Sequence, residues 1–284
     1  MTRDGRTLEL TKENFIALRD LVCDRVGVFL TDSKYSFLNT RLVYRLQLLN
    51  LETVDDYLYF IKYNPRGQQE LQELIEAIVI NETFFFREKE HFQALAQLVL
   101  PESKLHLRIW SCGCSTGEEA YSLAATAVET LPNERRRRID ILGTDVSNKA
   151  LESARRGNYT EQALREVSLR QLRRYFDKSD IDTYRVKKDL RELVTFERLN
   201  VMDTAGVAKL GAFDVIFCRN VLMYMDQPGR HKALVNLYQA LKSGGWLFLG
   251  KSESALGAAG LFEIGHWGSV IYYRKPVIEQ RAAG

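Results

Sequence analysis

From about residue 105 the chain alternates short apolar runs with amphipathic stretches of helical period, and that alternation leaves few folds open. Runs at 107–111, 139–144, 213–218, 246–249 and 270–273 have the length and apolar content of buried strands. Between them, 118–130, 149–156 and 229–242 repeat with the helical period. Strands that are apolar on both faces need cover on both sides, so the pattern predicts an α/β protein with a mostly parallel, doubly wound, Rossmann-like sheet. The charged, strand-like stretch YRVKKDLRELVTFERLNV breaks the alternation, and a small antiparallel β insertion is expected at about 177–200.

The amino-terminal part has a different texture. Residues 11 to about 80 show only helical periodicity. Thr11 precedes Asn14, Phe15 and Leu18 as a helix cap would, and Asp32 or Ser33 is placed to cap a second helix with the apolar face Tyr35, Leu38, Leu42, Leu46 and Leu49. A third helix at 54–63 is stopped by Asn64-Pro65, and a fourth is expected over 70–80. Two domains follow: an all-helical one over 1–78 and the α/β domain over 79–284.

Composition narrows the class. With 284 residues, 45% hydrophobic and 27% charged, the chain suits one or two ordinary globular domains rather than a disordered or fibrous protein. The net charge of +3 gives little reason to expect nucleic acid as a partner, and the basic run ERRRR at 134–138 reads as a solvated loop. No run reaches the ~18 apolar residues of a membrane helix, so no membrane insertion is expected. The opening MTRDGRTLEL lacks the apolar core of a signal peptide, which makes the cytoplasm the expected location and reduced thiols the expected state of Cys23, Cys112, Cys114 and Cys218. Cys112-Gly-Cys114 is too short and isolated for zinc, and no metal is expected.

The chemical signal sits in the first strand–turn–helix unit, Trp110-Ser111-Cys112-Gly113-Cys114-Ser115-Thr116-Gly117-Glu118-Glu119. Glycine at 113 lets backbone approach a ligand without a Cβ in the way. The full G-x-G-x-x-G spacing is absent, and Glu118 and Glu119 oppose a phosphate. They suit a cationic ligand, which leans toward S-adenosylmethionine with its sulfonium and ammonium. A tight turn with two acids capping the helix is the alternative. Asp145 ends the second strand, where an acid holds a ribose diol, and it is equally placed to cap the helix after Ser147.

Five segments together resemble the chemotaxis-receptor glutamate O-methyltransferases of the CheR type. They are Asn81-Glu82-Thr83-Phe84-Phe85-Phe86-Arg87, WSCGCSTGEEAYSLA at 110–124, ILGTDVS at 141–147, FDVIFCRNVLMYM at 213–225 and LKSGGWLFLGKSES at 241–254. The resemblance implies transfer of a methyl group from S-adenosylmethionine to glutamate carboxylates in the cytoplasmic domain of chemoreceptors, leaving methyl esters and S-adenosylhomocysteine. It implies cofactor contacts at Asn81, Thr83 and Arg87, at Glu118 and Asp145, at Asn200 and Val201 beside the adenine, and at Arg219 and Asn220. Arg87 and Tyr224 would stand near the transferring methyl. Ala120 replaces a proline common in the family, and the loop at 177–183 is short and without glycine, so a grip on the receptor's carboxyl-terminal peptide is not expected.

Lys34, Arg41 and Arg45 are spaced seven and four apart on the second helix. They are expected to dock acidic receptor helices, the alternative being an ordinary solvated face. A glutamate of pKa ≈ 4.3 is over ~99% ionised at pH 7, so this nucleophile needs no general base, in keeping with only four scattered histidines. The N-P-P-Y tetrapeptide of base-amino methyltransferases is missing, and Asn220-Val221-Leu222-Met223 stands there instead. A monomer is expected. A methyltransferase of another target, or a cofactor-binding adaptor without activity, are the competing readings.

Overall fold

The computed structural model describes residues 10–103, 106–136, 138–258 and 260–277. Most of the amino-terminal segment read above, and Arg137 of the basic run, lie outside them. The described chain forms two compact units. One runs to Ile80 and takes in Tyr224–Asp226; the other holds Asn81–Met223 and the chain from Gln227 onward.

The first unit is helical: α1 (Lys12–Val26), α2 (Tyr35–Leu49), α3 (Val54–Tyr63) and α4 (Gly67–Ile78). Thr11 caps α1 by accepting from the Asn14 amide, and Thr53 caps α3 by accepting from that of Asp56, so each satisfies an amide the helix itself cannot. The second helix starts later than expected. Asp32–Lys34 form a single 3-10 turn and α2 begins at Tyr35. The core is the periodic apolar set Phe15, Leu18, Val22, Leu38, Leu42, Leu46, Ile61, Leu74 and Ile75, all buried. Helix α4 opens at Gly67, three residues before the expected start, and a side chain is excluded there because a methyl would lie 2.2 Å from the Ile61 carbonyl oxygen. Tyr224 joins this unit, its carbonyl accepting from the Phe29 amide at 2.8 Å.

Among the described residues, one acid lies within this core. Glu70, 4% exposed, takes a two-pronged bond from Arg45 at 2.8 and 2.6 Å and a third from the Tyr57 hydroxyl at 2.6 Å. Burial, with the carboxylate beside it, pushes the Tyr57 hydroxyl far up.

The second unit is built on seven strands in the order β6-β2-β1-β7-β8-β10-β9. In chain order the strands are β1 (Leu107–Cys112), β2 (Ile139–Asp145), β3 (Asn158–Thr160), β4 (Phe176–Asp180), β5 (Thr183–Val186), β6 (Val194–Arg198), β7 (Phe213–Cys218), β8 (Leu241–Leu249), β9 (Glu263–Trp267) and β10 (Val270–Arg274). Strands β6 through β8 are mutually parallel, and β10 and β9 close the edge antiparallel. From β1 the chain moves outward to β2 and β6, then returns to place β7 on the other side, so the order reverses between β1 and β7. That reversal is where open α/β sheets bind ligands, at the carboxyl ends of the strands.

The small insertion is present but displaced. Strands β3, β5 and β4 form a separate three-stranded antiparallel sheet, starting at Asn158, while β6 belongs to the main sheet, with Ile141 opposite Val194. The expected span of 177–200 therefore merged half of the insertion with an edge strand. An edge strand half open to solvent alternates buried Val194 and Phe196 with exposed Thr195 and Glu197, the same period-two pattern as a hairpin.

Candidate active site

Three left-handed backbone positions in five residues shape the turn after β1: Gly113 at φ +74°, Ser115 at +50° and Gly117 at +96°. The amides of Gly113 and Cys114 both donate to the Thr144 carbonyl, at 2.8 and 2.9 Å, which fastens the turn to the end of β2. After α5 (Lys89–Ala94), which follows the NETFFFR segment, the next α-helix, α6 (Glu118–Thr130), starts immediately after this turn. Its two opening acids differ in role. Glu118 is 4% exposed and accepts from the Thr116 hydroxyl at 2.7 Å; burial pushes its carboxyl up to about 7. Glu119 accepts from Ser111 at 2.7 Å and from the Arg219 guanidinium at 3.1 Å.

Asp145 bridges two segments. One oxygen accepts from the Ser115 amide at 2.8 Å and the other from the Ser147 amide at 2.9 Å. The helix that follows is capped by Ser147, whose hydroxyl accepts from Ala150, so the capping alternative for Asp145 gives way to a loop-bridging carboxylate at the end of β2.

The NETFFFR segment is brought to the same place. Ser115 Oγ lies 3.2 Å from the Asn81 carbonyl and 3.4 Å from its side-chain oxygen, and the Phe86 amide donates to Ser122 of α6 at 2.9 Å. Phe85 packs edge-on against Tyr159 and Phe176, with ring centres 4.8 and 5.0 Å away. Phe86 and Glu88 both sit at φ +56°, a backbone region that a side chain adopts only when its surroundings impose it. Thr83 and Arg87 are half-buried beside them, and Arg87 donates to the Glu82 carbonyl at 2.9 Å.

Arg219, at the end of β7, is what imposes that turn. Its guanidinium bonds Glu88 at 3.0 Å, Glu119 at 3.1 Å and the Arg87 carbonyl, with a side chain only 1% exposed. Burial favours the neutral form of Glu88, but the arginine outweighs it and holds the carboxyl below its usual range. His91 beside them is lowered to about 4 by burial and by the same arginine. Arg219, expected from the resemblance to border the cofactor, has its guanidinium buried under the Arg87 backbone. Of its partners, Glu119 reads in the sequence as an acid facing a cationic ligand and instead meets this arginine, while Glu88 gives no signal at all, since a charge in a run of charges gives no sign of where it points.

The remaining residues divide. Asn200 is half-buried and its side-chain oxygen accepts from the Met202 amide at 2.9 Å, while the Val201 carbonyl accepts from buried Asn236 at 2.7 Å. Asn220 is left-handed at φ +58° and its amide bonds Glu253 at 2.7 Å. Tyr224, Lys34, Arg41 and Arg45 belong to the helical unit. Of the basic stripe expected there, Arg45 pairs with Glu70 and lies 3.5 Å from Glu73. Lys34 and Arg41 both lie against the Phe37 ring, 5.8 and 4.1 Å from its centre.

Glycine turn, buried acids and the Asp145 carboxylate at the end of β2 gather at the reversal point of a parallel sheet. The donor set is acidic where a pyrophosphate would need cations, so the class is an open-sheet nucleoside-binding enzyme whose ligand brings a positive charge. S-adenosylmethionine fits that set. Residues 81–267 match the CheR methyltransferase S-adenosylmethionine-binding domain, and 13–79 match the CheR methyltransferase all-alpha domain. Chemotaxis protein methyltransferase 2 of Vibrio cholerae is 34% identical over 272 residues, covering 94% of each chain. Chemotaxis protein methyltransferase of Escherichia coli is 36% identical over 250 residues, covering 87% of this chain and 86% of its own. The chain belongs to the CheR methyltransferase family, with S-adenosylmethionine as its cofactor, and its activity is methylation in chemotaxis.

Proposed function

We propose that the chain methylates glutamate side-chain carboxylates in the cytoplasmic domain of chemoreceptors, yielding glutamate methyl esters and S-adenosylhomocysteine. The observation that carries this reading is the pinned NETFFFR turn: Asn81 meets Ser115 of the glycine turn at one end, the Arg87 carbonyl is held by Arg219 at the other, and the neighbouring imidazole, His91, is buried and held neutral. That arrangement suits a nucleophile that arrives already ionised. When bound, S-adenosylmethionine supplies a methyl group on a sulfonium centre. Glu118 is placed to hold its ammonium, Asp145 its ribose, and Asn200 with Val201 its adenine. Asn81, Thr83 and Arg87 hold its amino-acid end, and Arg219 contributes through its backbone and by fixing Arg87. Arg87 and Tyr224 orient the reactants and move no proton. Holding donor and acceptor in line accounts for up to ~7–11 kcal/mol of barrier lowering.

Lys34 and Arg41 are the residues we assign to docking on acidic receptor helices. No grip on the receptor's carboxyl-terminal peptide is invoked: the β4–β5 hairpin turns through Ile181 and Asp182 without glycine. The test is transfer of radiolabelled methyl to receptor-containing membranes followed by mild alkali. Label released as volatile methanol is the expected result. Alkali-stable label would move the target to nitrogen, and no transfer by a protein that binds S-adenosylhomocysteine, across a panel of receptors, would favour the adaptor reading.

A further inference from the structure

The loop after β7 has no secondary structure of its own between Cys218 and Leu222, yet it carries Asn220 in a left-handed conformation. Such a segment holds one shape only if something outside it takes up its backbone donors. A single side chain does so. One carboxylate oxygen of Glu253 accepts from the Asn220 amide at 2.7 Å and the Gly250 amide at 2.8 Å. The other accepts from Val221 at 2.8 Å and Met223 at 3.1 Å. Four backbone donors thus converge on one ionisable group, from the loop after β7 and from the end of β8 at once.

The surroundings leave no slack for another arrangement. A methyl at Gly250 would stand 2.8 Å from the Glu253 oxygen and 3.0 Å from the Asn220 side-chain nitrogen. Val221, fixed by this carboxylate, presses on the turn after β1 so closely that a methyl at Gly113 would lie 2.3 Å from its Cγ2. The position of the β7 loop and that of the Gly113 turn are therefore linked through Val221. We infer that Glu253 is the positioning residue of the cofactor site: by binding the four amides it sets Asn220 and seats Val221 against the Gly113 turn. Charge-assisted bonds to a carboxylate are the stronger kind, and one carboxylate accommodates four donors where a single amide oxygen does not.

This inference rests on the reading that Asn220 borders the cofactor, and the experiment separates the two. In E253Q the side chain keeps its size, but its NH2 group faces amides that are themselves donors. Hydrogen exchange at the amides of Asn220, Val221, Met223 and Gly250 is expected to speed up at least ~10-fold, with β1 and β7 amides unchanged as the internal control of folding. The affinity for S-adenosylhomocysteine, measured by calorimetry, is expected to fall by about tenfold or more, equivalent to ~1.4 kcal/mol. E253D, with its carboxylate one methylene shorter, should fall between and serves if E253Q folds poorly. Unchanged exchange, or wild-type affinity despite faster exchange, overturns the inference. N220A is measured beside them. If it binds like wild type, the reading of Asn220 falls and the inference with it; if N220A loses affinity and E253Q does not, the inference falls alone.

Discussion

Glu118 carries the sharpest consequence at the scale of one residue. Its carboxyl is buried in the first turn of α6 with Thr116 as its hydrogen-bond donor, and desolvation raises it from 4.5 to about 7. A raised acid binds its proton more tightly folded than unfolded. Its contribution to stability is therefore fully present below the unfolded value and lost as pH rises through the window from about 4.5 to 7. The unliganded protein should lose on the order of 3 kcal/mol from this group across that window, a loss absent in E118Q. Denaturation midpoints of the two proteins at pH 5 and pH 7.5 check it. An ammonium ligand reverses the sense, because pairing needs the ionised form. Affinity for S-adenosylhomocysteine should rise up to tenfold per pH unit below about 7 and then level off, while E118Q shows no rise. A flat wild-type profile would remove Glu118 from the ammonium. Sequence alone placed this acid at a turn; only its enclosure made it a titrating one.

At the scale of elements, residues that read as surface chemistry become struts. Arg45 repeats in register with Arg41 and Lys34, yet its side chain is only 12% exposed and forked onto Glu70, which also takes the Tyr57 hydroxyl. Removing one partner of a buried pair leaves the other charge stranded, at a cost of about 3–5 kcal/mol. R45A should lower the urea midpoint of the helical unit accordingly, whereas R41A, on a cation stacked over exposed-side Phe37, should leave it within about 0.5 kcal/mol. Equal losses in both variants would refute the strut. The same distinction marks what was legible beforehand. Apolar period and caps gave the helices, and the buried runs gave β1, β2 and β7 with the turn that joins β1 to α6. What escaped was partnership across long separations: Arg45 with Glu70, Arg219 with Glu88, Glu253 with Asn220. A charged side chain has the same appearance in a sequence whether it meets water or another charge. The edge strand β6 was merged with the insertion for a related reason, since alternation reports which residues are covered and not which sheet covers them.

For the whole molecule, the proposed docking on acidic receptor helices has to work with a net charge of only +3. Overall charge is too small for long-range attraction, so selection has to come from local groups. Lys34 and Arg41 lie against half-buried Phe37, and exposed Tyr44 lies on the same helix one turn beyond Arg41. Cations next to an aromatic ring on the outer face of α2 suit a partner helix that is acidic and partly apolar. Attraction between exposed charges decays over ~10 Å at 0.1 M salt and over ~3 Å at 1 M. Cofactor capture has a different character, resting on buried groups that salt screens far less. The two steps should therefore separate when ionic strength is varied. With wild-type protein, kcat/KM for receptor methylation should drop steeply between 0.05 and ~0.5 M salt, while the affinity for S-adenosylhomocysteine changes little. The double substitution K34E with R41E should lower kcat/KM at low salt by tenfold or more, flatten its salt dependence, and leave cofactor affinity and the urea midpoint as they were. Parallel loss of cofactor affinity would place these cations in the fold or the cofactor site instead, and a salt profile unchanged by the double substitution would assign the steering to other residues.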